Sequence, residues 1–161
     1  MILVTGGTGL VGSHLLHQIC QSETKVRAIK RAHSKTNFVR KVFSYYTEKA
    51  DLLFEKIEWV NADLLNISEL DLAFQGITKV YHCAASISFN PKHKNKMMQT
   101  NIEGTTNVVN LCLVHRIHKL CHVSSVASLG RSRDWASTDE NTHWVNSPEN
   151  SYYALSKYHS E

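Results

Sequence analysis

The stretch that opens the chain, MILVTGGTGLVG from Met1 to Gly12, constrains the fold more than any other. Ile2, Leu3 and Val4 form a short apolar run of strand character. An apolar helical pattern, Val11, Leu15, Leu16 and Ile19, follows the glycines at once. Strand, glycine turn and helix in that order predict a dinucleotide-binding βα unit. Gly6 permits a tight turn out of the strand. Gly9 lets backbone approach a pyrophosphate with no Cβ in the way. Gly12 lets the helix pack close to the strand. The helix N-terminus then offers N–H groups and a partial positive charge to the phosphates.

A length of 161 residues suits one domain. The formal net charge is only +4, with no dense basic run, which argues against a nucleic-acid partner and suits an anionic cofactor. No apolar segment reaches the ~18 residues of a membrane span, and the N-terminus has no basic leader segment, so neither a membrane nor a signal peptide is expected. Cys20, Cys83, Cys112 and Cys121 show no framework spacing and are expected as reduced, cytoplasmic thiols. Cys112, His115, His118 and Cys121 recur every third residue. A helix is predicted to end near Arg116 and a strand to begin near Lys119, so these groups should diverge, and no metal site is expected.

Further along, Lys25 to Lys30 reads as a second strand. Its end carries Lys30 and Arg31, with Arg40 and Lys41 beyond, where an acidic residue would be needed to bind the 2′-hydroxyl of NAD. Cations there favour the 2′-phosphate of NADP, with NAD as the alternative. Phe38 to Phe54 is predicted as one long helix from the spacing of Phe38, Val42, Tyr45, Tyr46, Leu52 and Leu53. Ile57 to Asn61 is a third strand, followed by Asp63 and Leu64. Leu70 to Phe74 belongs to a short helix stopped near Gly76. Lys79 to Cys83 is a fourth strand, followed by Ala84, Ala85 and Ser86. Met97 to His115 is a helix whose stripe is Met98, Ile102, Thr105, Val109 and Cys112. Lys119 to Val123 is a fifth strand, and a polar loop runs from Gly130 to about Pro148. The last helix opens at Asn150. Alternating strands and helices predict an α/β fold, a Rossmann-type doubly wound parallel sheet with flanking helices.

Tyr153 and Lys157 stand at i and i+4 on that last helix and share one face. A free tyrosine titrates near pH ~10, so acid–base work at neutrality needs its anion stabilised by roughly 4 kcal/mol. A neighbouring ammonium supplies part of this.

The spacing Gly-x-x-Gly-x-x-Gly in TGGTGLVG, followed by HCAAS, NIEGTTNVV, SSVASLG and YYALSK, resembles the extended short-chain dehydrogenase/reductase superfamily, the NAD-dependent epimerase/dehydratase and dihydroflavonol-reductase-like enzymes. The resemblance runs through nearly the whole chain in the family's order. It implies cofactor contacts from Thr5, Gly6, Gly9, Leu10, Val11 and Gly12. Asp63 and Leu64 would lie against the adenine, and Ala84 and Ala85 beside the nicotinamide-side ribose. Tyr153 would be the general acid/base, Lys157 would support it and hold the ribose, Ser125 would polarise the substrate carbonyl, and Asn101 would belong to the polar network behind them. It also implies a C-terminal substrate domain that these residues do not supply. The chain is therefore expected to be a C-terminally truncated sheet, the N-terminal dinucleotide-binding portion of a longer enzyme, and catalytically silent alone, with Tyr153 and Lys157 loosely held on a short helix.

The acid pair that the sugar dehydratases carry after the serine is replaced here by Val126 and Ala127. This favours a carbonyl- or alcohol-handling oxidoreductase. A nucleotide-sugar 4-epimerase with bound NAD is the alternative, and a non-catalytic dinucleotide sensor a second. The partner is then a small-molecule carbonyl, alcohol or nucleotide-sugar, and a homodimer is compatible with the family.

Overall fold

The computed structural model describes residues 1–129 and 138–161. Gly130 and the first part of the expected polar loop lie outside the described residues. The chain divides into two units: residues 1–84 with 107–123, and residues 85–106 with 124–161.

In the first unit, ILVT forms β1 (Ile2–Thr5), every residue of it buried. Around it lie β2 (Val26–Lys30), β3 (Ile57–Asn61), β4 (Lys79–His82) and β5 (Lys119–His122), all parallel, in the order β3-β2-β1-β4-β5. Strand alternation sorts the core into two faces. Ile2 and Val4 join Val26, Ala28 and Ile57 under α1 (Leu10–Ser22), α2 (Asn37–Ser44) and α3 (Ala50–Phe54). Leu3 joins Ile29 and Val80 under α4 (Ile67–Phe74) and the C-terminal half of α5 (Lys94–Val114). Each fully buried side chain, such as Phe43, Phe74 or Leu70, adds roughly 1.5–3 kcal/mol of hydrophobic stabilisation. This is the predicted doubly wound sheet, with its order reversing at β1 and β4, whose carboxyl ends form the crevice where such sheets bind ligands.

Several details differ from expectation. The Phe38–Phe54 helix is two helices. The N–H of Tyr45 bonds to Val42 O and that of Tyr46 to Phe43 O, and Thr47 Oγ1 then takes the Lys49 N–H, so local turn bonds displace the helical ladder. Phe38, Tyr45, Tyr46 and Leu52 are exposed, and the buried side chains are Val39, Val42, Phe43 and Ala50. Val11 is exposed, and the core face of α1 is Leu16, Ile19 and Cys20. On α5 the buried side chains are Met97, Asn101, Thr105, Val108, Leu111 and Cys112: Thr105 and Cys112 are as expected, while Met97, Asn101 and Val108 take the places expected of Met98, Ile102 and Val109. Asn101 is the polar member that hides this register from an apolar count. α4 contains the expected Leu70–Phe74 and starts at an Asn66 cap whose side chain accepts the Glu69 N–H.

The second unit holds the start of α5, a 3₁₀ turn at Pro91–His93, another at Val126–Leu129, and α6 (Tyr152–Tyr158).

Candidate active site

The glycine turn is built as the sequence requires. Gly6 adopts φ +68°, and a Cβ there would stand 2.6 Å from Ala84 N and 2.8 Å from Cys83 C, so only glycine fits. A Cβ on Gly12 would strike the carbonyl of Gly6. Gly12 thus serves packing of α1 on the turn itself rather than on the strand. Gly9 is different. It caps α1 in extended backbone (φ −85°, ψ 176°), and a Cβ there would meet only Gly6 O, at 3.3 Å. Gly9 is therefore tight against that one carbonyl oxygen but far less crowded than Gly6 or Gly12, and its remaining free side suits a ligand. The turn closes by Gly9 N–H to Gly6 O at 2.9 Å, and Ser13 N–H bonds to Gly9 O at 2.9 Å. The amides of Leu10, Val11 and Gly12 precede that first helical bond, as an anion site needs. No acidic residue occupies the first turn, and Leu10 and Val11 are exposed there.

The remaining cofactor candidates sort by burial. Thr5, expected to touch cofactor, is fully buried, its hydroxyl 2.6 Å from His82 Nδ1 and 3.2 Å from the Ala84 amide, which donates to it. Lys30 donates to Asn61 Oδ1 at 2.9 Å, which fixes its ammonium at the end of β2, while Arg31 is exposed. Arg40 is committed elsewhere, to Asp51 at 2.9 Å and over the Phe54 ring. Asp63 Oδ1 accepts the Leu65 N–H at 3.0 Å, a turn-capping bond, and Leu64 is in the core. Ala84 is half-buried and Ala85 exposed.

In the second unit, α6 is more firmly held than its seven residues suggest. Ser151 caps it by accepting the Ala154 N–H. Asn101 makes three bonds. Its Oδ1 accepts the Ser86 N–H at 2.7 Å, and its Nδ2 donates to Ser86 O at 2.9 Å and to Ser156 Oγ at 2.8 Å. Ser156 Oγ donates in turn to Tyr153 O at 2.7 Å. Asn101 and Ser156 are 1% and 0% exposed, so this network forms away from water, where bonds are stronger and their loss more costly. Lys157 is 2% exposed, and burial lowers its pKa while the Glu161 carboxylate opposes the shift. The Lys157 side chain is thus packed in place, while Tyr153 is half-buried.

Tyr153 lines an open cavity of about 780 Å³ with Phe89, Pro91, Met97, Pro148 and Leu155. The only charged side chains lining it, among the described residues, are Lys94 and Glu149, and the Lys94 ammonium sits 3.8 Å from the Tyr152 ring centroid. Ser125 is half-buried, and its Oγ accepts the Ala127 N–H at 3.2 Å, which leaves its own proton to donate. Ser124 bonds instead to Glu161, as does Ser128 at 2.8 Å. Glu161 was missed by motif reading, although its place four residues after Lys157 was visible. Of the evenly spaced Cys and His residues, Cys112 is in the core, His115 Nε2 lies 2.8 Å from Asp71 Oδ1, and Cys121 is exposed. Among the described residues no group of three or more His, Cys, Asp or Glu side chains is arranged to hold a metal, and no helix is long and apolar enough to cross a membrane.

Comparison with known proteins agrees with this architecture. A dihydroflavonol 4-reductase of Dianthus caryophyllus is 28% identical over 125 residues, 77% of this chain and 33% of that protein. A UDP-glucose 4-epimerase of Dictyostelium discoideum is 30% identical over 134 residues, 80% of this chain and 37% of that protein. The crystal structure of gox2253 superposes with a TM-score of 0.81 at 28% identity, covering 99% of this chain and 44% of that one. The chain thus spans about a third of the length of the curated relatives it matches. The model of the NAD dependent epimerase/dehydratase family matches residues 2–161. With its glycine turn, its parallel sheet and that match from end to end, the chain belongs to this family, the extended short-chain dehydrogenase/reductases.

Proposed function

We propose that this chain is the dinucleotide-binding part of an NAD(P)-dependent oxidoreductase that interconverts a carbonyl and an alcohol on a small molecule. The observation that carries the reading is Tyr153 on the wall of an open cavity with Lys157, four residues on, buried behind the same helix. The residues fit the cofactor: Gly9 leaves room where a pyrophosphate would lie, and the amides of Leu10, Val11 and Gly12 open α1. When bound, the nicotinamide gives or takes the hydride. In the reducing direction the Tyr153 hydroxyl gives its proton to the substrate oxygen, and Ser125 donates a hydrogen bond to the same oxygen. The Lys157 ammonium stabilises the phenolate until solvent returns the proton. Asn101 holds Ser86 and Ser156, and so the backbone at Tyr153. Leu64 and Asp63 shape the adenine end.

NADP(H) is preferred, because Lys30 and Arg31 stand where an NAD-binding acid would be needed. The formal charges of Lys94 and Glu149 cancel in the cavity wall, which favours an uncharged carbonyl over a nucleotide-sugar and so a reductase over a 4-epimerase. Titration with both cofactors tests the preference: equal affinities, or tighter NAD(H), reject it. For the reaction, Tyr153→Phe in the full-length enzyme should lower turnover by about 10²-fold or more while cofactor affinity stays nearly constant, and full activity would refute the assignment.

A further inference from the structure

We infer that Tyr152 and Tyr158, the other two tyrosines of α6, are positioning residues that fasten two walls of the cavity to the helix carrying Tyr153, a role that rests on reading that cavity as the substrate site. Helix geometry puts them on either side of Tyr153. At about 100° per residue, Lys157 lies roughly 40° round from Tyr153, Tyr152 about 100° to one side and Tyr158 about 140° to the other. Both rings are exposed, at 45% and 40%, yet each meets a partner from outside the helix. The Lys94 ammonium lies 3.8 Å from the Tyr152 centroid, within the ~6 Å reach of a cation–π contact. The Trp144 indole stacks on Tyr158, with centroids 4.4 Å apart and planes at 11°.

Each partner belongs to a wall. Lys94 begins α5 directly after the 3₁₀ turn at Pro91–His93, and Ser88, Phe89, Pro91 and Lys94 itself line the cavity. On the other side, residues 146–150 line it, two positions beyond Trp144. That stretch is a self-bonded turn. Trp144 Nε1 donates to Asn146 Oδ1 at 2.9 Å, the Asn150 backbone N–H to Ser147 O at 3.1 Å, and Asn150 Nδ2 to Val145 O at 2.8 Å. Its far end runs into Ser151, which caps α6. The turn is thus tied to α6 twice, by the chain at Ser151 and by the stack at Tyr158, roughly 10 Å along the helix. With the stack removed, the exposed residues 146–149 would pivot on Ser151. Asn101 and Ser156 hold α6 itself, so the two ring contacts govern the walls rather than Tyr153. Their loss removes binding common to ground and transition states.

The test compares Trp144→Ala, Trp144→Phe, Lys94→Met, Lys94→Arg and a core control, Leu70→Ala, by amide exchange, melting temperature and steady-state kinetics. Trp144→Ala should speed exchange at Glu149 and Asn150 by about fivefold, and Lys94→Met should speed it at His93 by about threefold. In both variants the Leu155 amide, inside α6, should stay within about twofold of the parent. Trp144→Phe can still stack, and Lys94→Arg still places a cation over the ring, so both should return exchange to within about twofold. Leu70→Ala should lower the melting temperature most and leave exchange at these amides as in the parent. In the full-length enzyme, with para-nitrobenzaldehyde as an uncharged carbonyl probe, Trp144→Ala should raise KM by about fivefold and keep kcat within about twofold. Unchanged exchange in Trp144→Ala and Lys94→Met, failure of Trp144→Phe and Lys94→Arg to rescue, or equal acceleration at Leu155 would overturn the fastening. Faster exchange with an unchanged KM would overturn its part in placing substrate. If the parent does not turn the probe over, the reading of the cavity as a carbonyl site falls, and exchange still judges the two ring contacts without any ligand.

Discussion

The glycine turn and the Tyr153 helix are made of opposite materials. The turn works by having no side chains: Gly6 and Gly12 exist because backbone lies where a Cβ would be. The Tyr153 helix is held through side chains: Asn101, Ser156 and Lys157 are buried, and Asn101 Nδ2 donates to Ser156 Oγ. The difference shows where each should fail. Adding an atom breaks the first, and removing one breaks the second.

Gly12→Val should give the largest effect. A branched side chain on the Gly6 carbonyl forces α1 away from its turn, and a loss of more than about 3 kcal/mol is expected in urea denaturation. A loss below about 1 kcal/mol would show that the turn yields. Next comes Asn101→Ala, which strands the Ser86 backbone groups and Ser156 Oγ. It should cost about 2–3 kcal/mol, and Asn101→Asp should not rescue it, because a carboxylate cannot donate to Ser86 O.

Smaller effects sharpen the picture. Glu58 takes a hydrogen bond from Lys25 and lies beside Arg27, and these hold its pKa below the usual value against partial burial. A depressed carboxylate contributes stability above its unfolded pKa and loses it as pH falls through the folded one. Glu58→Gln should therefore flatten part of the acid limb below pH ~4, by under about 1 kcal/mol since Glu58 is partly exposed. Thiol labelling should separate the cysteines. Burial pushes Cys20, Cys83 and Cys112 up to about 11, so exposed Cys121 should alkylate first at neutral pH.

What the sequence made legible follows the same division. Strand–glycine–helix order is local, so β1, the turn and α1 could be read from adjacent residues, and β3 began and ended where predicted. The break after Ser44 was not legible, because Tyr45 and Tyr46 continue the helical spacing while the stop comes from turn bonds. The register of α5 was misread in part for a different reason: its buried face carries Asn101, a polar residue whose partner Ser156 lies far along the chain. Thr5 was read as a cofactor contact from its place in the motif. Its hydroxyl is buried beside His82, 77 residues away, a contact that no local pattern shows.

The central claim is that the open side of Gly9 is where the cofactor's phosphates lie. NADPH titration into the parent chain and into Gly9→Val, each checked for folding by its melting temperature, tests it most directly. Extended backbone at Gly9 admits any residue, so Gly9→Val should melt within a few degrees of the parent, about 1 kcal/mol or less. Its NADPH affinity should fall by at least about tenfold, as phosphate and side chain cannot share that space. Unchanged NADPH binding in a folded Gly9→Val protein would contradict the account.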